Sequence, residues 1–141
     1  MIDIINRQRA RKSNAKECRK FTERALAAIR SESRYVSIVF VSDSAIRRLN
    51  RQFRKKDYAT DVLSFPNESE PFENENQSQL GEIVISVQRA AAQAKENGLT
   101  FSNEIEQLIL HGLLHLCGYD HETDNGEMNR LELKLRKKLG I

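Results

Sequence analysis

The chain has 141 residues, of which 39% are hydrophobic and 30% charged, and a formal net charge of +3. This size and composition predict one soluble domain over residues 1–141, with a hydrophobic core that needs no disulfide support. No apolar run approaches the ~18 residues of a membrane helix, and the first residues lack the apolar core of a signal peptide. The absence of both features points to the cytoplasm, so we expect a cytoplasmic protein.

The first half of the chain alternates strand-like and helix-like patterns. Runs of apolar, β-branched and aromatic residues predict three strands: 2–5, 35–41 and 61–65. Apolar residues at helical spacing, each set preceded by a capping residue, predict two helices: 14–30 and 44–53. Residues 67–79 are acidic and amide-rich without periodicity, so we predict a mobile loop there.

The second half of the chain predicts one more strand and three helices. The strand covers 80–87 and leads into an alanine-rich helix over 87–97. The next helix, 102–117, is apolar on nearly every side, which is typical of a helix buried in the interior. A capping pattern at Asp124 opens the last helix, which reaches about residue 139. Together these patterns predict an α+β fold with a mixed sheet of about four strands, about five helices and a central buried helix.

The central helix carries a predicted metal site. All three histidines of the chain lie in one stretch, LILHGLLHLCGYDHE, as His111, His115 and His121. Residues four apart on a helix are about 40° apart around its axis and about 6 Å along it, so the first two imidazoles can bind one ion. Gly118 permits the turn that brings His121 back to the same point. Three imidazoles with an open fourth position are typical of one catalytic Zn²⁺, although other divalent transition metals are compatible.

The spacing H-x3-H-x2-G-x2-H is also that of the metzincin metalloproteases. In those enzymes a glutamate follows the first histidine and acts as the general base. Here that position is Gly112, which cannot supply a carboxylate. Peptide hydrolysis by the metzincin route is therefore not favoured.

Three segments resemble the YbeY family, the small metal-dependent endoribonucleases and rRNA maturation factors of bacteria. They are HGLLHLCGYDH, LNRQFRKKDYATDVLSFP and GEIVIS, and their order and spacing cover most of the chain. The resemblance implies the same α+β architecture and cleavage of single-stranded RNA. It also implies a role in the 3′ end processing of 16S rRNA and in ribosome quality control, with the ribosome or ribosomal proteins as partners. One departure is Ala59, where the family usually has proline.

The resemblance also assigns roles to residues outside the histidines. Arg54 matches the functional arginine of the family motif, so we expect it to face the metal cleft and to act in catalysis with His111. A guanidinium can bind the negative oxygens of a phosphoryl group through two hydrogen bonds. Asp120 is a candidate to orient a ligand imidazole or, equally, to cap the turn. Further basic side chains are RNA-binding candidates, or else part of a solvated charged surface: Arg47, Arg51 and Lys55.

Three functions remain open from the sequence. The first is a metal-dependent single-strand endoribonuclease, for which a missing carboxylate is less damaging because RNA supplies its own 2′-hydroxyl nucleophile. The second is a metzincin-like protease or another zinc hydrolase. The third is a non-catalytic ribosome-binding protein whose zinc stabilises the fold, which would require a fourth protein ligand. Cys117 is poorly placed for that, because two residues after His115 it projects about 200° around the helix.

Overall fold

The computed structural model describes residues 1–31, 33, 35–67 and 79–141, so residues 68–78 of the predicted loop lie outside the described residues. The described part contains four strands: β1 (Ile2–Asn6), β2 (Val36–Val41), β3 (Val62–Pro66) and β4 (Gly81–Ser86). It contains five helices: α1 (Ala15–Ile29), α2 (Asp43–Arg54), α3 (Val87–Glu96), α4 (Phe101–Leu116) and α5 (Glu127–Leu139). None of these helices is long and apolar enough to cross a membrane. The predicted α+β fold is confirmed.

The strands form one mixed sheet in the order β1-β2-β4-β3. β1 pairs with β2 and β2 pairs with β4, both in parallel, while β3 runs antiparallel to β4. All six residues of β2 are buried, as expected for a strand covered on both faces. In this strand order β3 forms one edge of the sheet, and the loop that joins α2 to β3 leads into that edge strand.

The histidine-bearing helix α4 is the central helix that the sequence predicts. Thr100 caps its first turn, where the side-chain oxygen accepts a hydrogen bond from the backbone of Asn103. Buried residues occur on nearly every side of the helix: Glu104, Ile105, Leu108, Ile109, Leu110, Gly112, Leu113, Leu114 and Leu116. Because α4 packs into the core on so many sides, it holds the imidazoles on a rigid support.

Gly112 sets the distance between α4 and the sheet. A Cβ atom at this position would lie 2.9 Å from two carbons of the Ile83 side chain on β4. Ile83 is fully buried, so its side chain has little room to move. The position that holds glutamate in metzincins is thus a closed helix–sheet contact in this protein.

The final helix begins later than the capping pattern predicts. Asp124 precedes α5, and its carboxylate accepts hydrogen bonds from the backbone nitrogens of Gly126 (2.8 Å) and Met128 (2.9 Å). These two bonds, led by that from Met128, hold the pKa of Asp124 below its usual value. Gly126 has φ 95° and provides the cap position itself, so the helix starts at Glu127.

The Gly112 contact predicts a graded loss of stability. We expect Gly112→Glu to lower the free energy of unfolding by at least about 2 kcal/mol, because it places a polar side chain against buried Ile83. Gly112→Ala adds one carbon and gains about 1 kcal/mol of helix propensity, so it should cost less. Chemical denaturation compares these variants with Ser102→Glu, which adds a carboxylate at an exposed position of α4. A Gly112→Glu protein as stable as the Ser102→Glu control would contradict the close contact.

Candidate metal centre

Two of the three histidines, His111 and His115, each form a hydrogen bond through their Nδ1 atom. The Nδ1 atom of His111 lies 2.7 Å from Oε1 of Glu132 on α5. The Nδ1 atom of His115 lies 3.0 Å from the backbone oxygen of Tyr119. A carbonyl or carboxylate oxygen accepts, so each Nδ1 carries the hydrogen and donates it. Each neutral ring therefore has its free lone pair on Nε2.

The two Nε2 atoms face each other at 3.2 Å. Two lone pairs at this distance cannot share a hydrogen bond, whereas a cation can bind both. Zinc with Zn–N bonds of 2.0–2.1 Å in tetrahedral geometry holds its ligand nitrogens about 3.3 Å apart, which this pair matches. One ligand atom from each of His111, His115 and His121 lies within 4.8 Å of the others. The structure thus brings together the predicted donors, and they fit a divalent transition metal.

The electrostatic environment keeps His115 in the form that binds metal. Burial lowers its pKa, and the neighbouring His111 and His121 lower it further, against the hydrogen bond to Tyr119. A lowered pKa means that the ring is neutral at neutral pH, and only the neutral ring has a lone pair to donate.

Glu132 is the residue that sequence analysis missed. Its side chain is only 9% exposed, and its second carboxylate oxygen lies 3.4 Å from the guanidinium of Arg136. Burial alone would raise the pKa of Glu132, but the hydrogen bond from His111 and the nearby charges outweigh burial and lower it. A carboxylate on the far nitrogen of a ligand histidine fixes the ring orientation and raises its basicity. One signal was available, because Glu132 lies at helical spacing between Met128 and Leu135 on the buried stripe of α5.

The turn after α4 brings His121 to the other two imidazoles. Gly118 has φ 99°, which the chain needs to reverse direction there. Asp120 then caps the turn, since its Oδ1 accepts a hydrogen bond of 3.0 Å from the backbone nitrogen of Glu122. The carboxylate bound to a ligand imidazole is that of Glu132, so the geometry of Asp120 favours the capping alternative.

Arg54 and the three histidines line one cavity of about 650 Å³. The residues that line it come from two segments of the chain, 50–66 and 111–122. The Nη2 atom of Arg54 donates a hydrogen bond of 3.0 Å to the backbone oxygen of Ser64 on β3. Ser64 in turn lies against α4, where its hydroxyl is 3.5 Å from the backbone oxygen of Gly112. Arg54 therefore shares the cavity with the metal ligands, as the resemblance implies.

Side-chain hydrogen bonds fix the loop that follows Arg54. Asn50 is 2% exposed, and its side-chain amide donates a hydrogen bond of 2.9 Å to the backbone oxygen of Tyr58. Asp61 accepts a hydrogen bond of 2.8 Å from the backbone nitrogen of Val62 at the start of β3. These contacts hold the loop in place although position 59 is alanine.

The predicted RNA-binding residues lie outside the cavity. Arg47 is paired with Asp57 at 2.9 Å, and this hydrogen bond is the largest cause of the lowered pKa of Asp57. Arg51 and Lys55 are exposed and do not line the cavity, whereas Lys56 does. Their RNA-binding role remains a prediction for the outer surface.

Comparison with known proteins identifies relatives over the full domain. The family model described as endoribonuclease YbeY matches residues 3–140. A Solibacter usitatus protein named endoribonuclease YbeY is 52% identical over 73% of this chain, and the match covers 65% of that protein, just under two thirds. A Geobacter metallireducens protein of the same name is 38% identical over 99% of this chain and 94% of its own length. The solution structure of a Thermotoga maritima protein aligns with a TM-score of 0.65 and 30% identity, over 99% of this chain and 89% of that one.

The Glu132 contact predicts a weaker metal site when the carboxylate is removed. We expect Glu132→Ala to lower the affinity for Zn²⁺ by about 10–100-fold, because His111 loses the partner that orients it. Glu132→Gln retains an acceptor but not the charge, so it should show a smaller loss. Competition with a chromophoric chelator measures the affinity. Glu82→Gln removes an exposed carboxylate that does not line the cavity and should bind like the parent protein. Equal affinity of Glu132→Ala and Glu82→Gln would rule out the orienting role.

Proposed function

The chain belongs to the endoribonuclease YbeY family, and we propose that it is a metal-dependent endoribonuclease that cleaves single-stranded RNA. Its role is the maturation of rRNA, including the 3′ end of 16S rRNA, and ribosome quality control. The observation that carries the proposal is the cavity in which a guanidinium, Arg54, is placed with three imidazoles. The proposed partners are rRNA and the ribosome or ribosomal proteins, and the proposed location is the cytoplasm.

The proposed cofactor is one zinc ion, held by His111, His115 and His121. When bound, such an ion supplies a Lewis acid for a phosphoryl oxygen and lowers the pKa of a coordinated water towards neutrality. Among the described residues, this cluster consists of the three histidines alone, which leaves a coordination position for solvent or substrate. This favours a catalytic over a purely structural ion.

Arg54 is proposed to bind the scissile phosphate. Its hydrogen bond to the backbone of Ser64 uses one of the five guanidinium N–H donors and fixes the side chain. The remaining donors are available for two non-bridging oxygens of a phosphodiester, where negative charge develops during the reaction. Such fixed donors are most effective because they need no rearrangement at the moment of reaction.

The residue beside the first histidine helps to choose between RNA and peptide as the substrate. Gly112 is closed against Ile83, so the metzincin base has neither a side chain nor space. Peptide hydrolysis by the metzincin route needs a carboxylate beside the metal that activates water. RNA brings its own 2′-hydroxyl nucleophile, whose proton would pass to a base that the metal, when bound, supplies. We therefore favour RNA over peptide as the substrate.

Substitution of the proposed phosphate-binding arginine tests the mechanism. We expect Arg54→Ala to lower kcat for a single-stranded RNA by about 10²–10³-fold, the range for removal of one hydrogen-bond donor that stabilises charge in a transition state. Arg54→Lys keeps the charge but loses the two-pronged geometry, so it should recover only part of the rate. Arg48→Ala is the matched control, because Arg48 is exposed on the same helix and does not line the cavity. Full activity of Arg54→Ala would remove Arg54 from the mechanism.

Ribonuclease contamination is controlled with His111→Ala. This variant should retain its fold by circular dichroism and lose cleavage. If it is purified identically and still cuts RNA at the parent rate, the activity belongs to a contaminant. Casein hydrolysis without RNA cleavage would instead favour a protease.

A further inference from the structure

Each of the two segments that line the cavity contributes one exposed aromatic side chain. Tyr58 belongs to the segment 50–66 and is 54% exposed. Tyr119 belongs to the segment 111–122 and is 37% exposed. The cavity therefore offers two apolar ring faces that a ligand can cover.

Both rings project from a fixed backbone. The buried amide of Asn50 holds the carbonyl of Tyr58 at 2.9 Å. The imidazole of His115 holds the carbonyl of Tyr119 at 3.0 Å. A ligand that binds these rings therefore orders only two side chains and no loop, which lowers the entropic cost of binding.

The chemistry around the rings matches single-stranded nucleic acid. Arg54 and Lys56 belong to the same lining segment as Tyr58 and provide positive charge for the phosphates, in a cavity that three carboxylates also line: Asp61, Asp120 and Glu122. Proteins that bind single strands combine such cations with aromatic rings on which successive bases stack. In a duplex, both faces of each base are covered by neighbouring bases, so an unpaired base is the form that can stack on a side chain.

We propose that Tyr58 and Tyr119 each stack one unpaired base of the RNA strand whose phosphate Arg54 binds. This inference rests on the proposed function and adds the basis of its preference for single strands. Every base has a π-face, so recognition by stacking tolerates many sequences. The two tyrosines set substrate affinity, while Arg54 and the histidines act on the reacting phosphate.

Binding of single-stranded DNA oligonucleotides tests the proposal without depending on cleavage, because DNA keeps the bases and phosphates. Fluorescence anisotropy should show that Tyr58→Ala raises the Kd by about 5–150-fold, the range for loss of one stacked base. Tyr58→Phe keeps the ring and should restore most of the lost affinity. Leu133→Ala is the control, since Leu133 is 53% exposed on α5 and does not line the cavity.

A series of oligonucleotides, each lacking the base at one position, identifies the stacked base. At one position Tyr58→Ala should cause less than a twofold change, because the base it would stack on is already absent. Tyr119→Ala should show the same behaviour at a different position. Equal losses at every position, or unchanged binding in both alanine variants, would overturn the stacking model.

The experiments distinguish failure of the stacking proposal from failure of the proposed nuclease function. If the protein cuts no RNA but shows this position dependence, the nuclease proposal fails and the stacking surface stands. If RNA is cleaved with an unchanged KM in both alanine variants, the nuclease proposal stands and the stacking surface fails.

Discussion

The site depends on two imidazole lone pairs that are forced to face each other. His111 and His115 are one helical turn apart, and each is anchored at Nδ1, so their Nε2 atoms meet at 3.2 Å. Two acceptor nitrogens at this distance form a pair that one cation can bind, and the hydrogen bonds at Nδ1 together with the packing of α4 hold them there. When a metal binds two ligands that are already in position, little conformational entropy is lost. The packing that holds the two imidazoles therefore raises the affinity of the site for a metal.

The same packing explains why the helix carries no base beside its first ligand. The close approach of α4 to β4 requires that residue 112 have no side chain, because Ile83 occupies the space. The contact that holds α4 close to β4 therefore excludes a metzincin glutamate. A chain with these ligands and this helix–sheet distance is suited to a substrate that provides its own nucleophile.

Sequence reasoning succeeded where the signal was local and periodic. Strand and helix positions, the buried character of α4 and the shared face of His111 and His115 all follow from spacings of a few residues. It failed where a contact joins distant segments. Glu132 approaches His111 from 21 positions away in sequence, and only the packing of α5 on α4 reveals the pair. The predicted start of α5 was too early for a related reason. The cap position is Gly126, and the positive φ of this residue cannot be read from the capping pattern at Asp124.

The charged side chains that line the cavity show that a bound metal would alter its net charge. Arg54 and Lys56 face three carboxylates, those of Asp61, Asp120 and Glu122, which leaves one excess negative charge when the imidazoles are neutral. A phosphodiester entering this cavity alone would meet net repulsion. A divalent cation bound by the histidines would change this excess from one negative to one positive charge, in the cavity that Arg54 also lines. Under the proposed function, affinity for RNA and capacity to cleave it would then depend on the same ion, because the charge that attracts the backbone would also act on the phosphate.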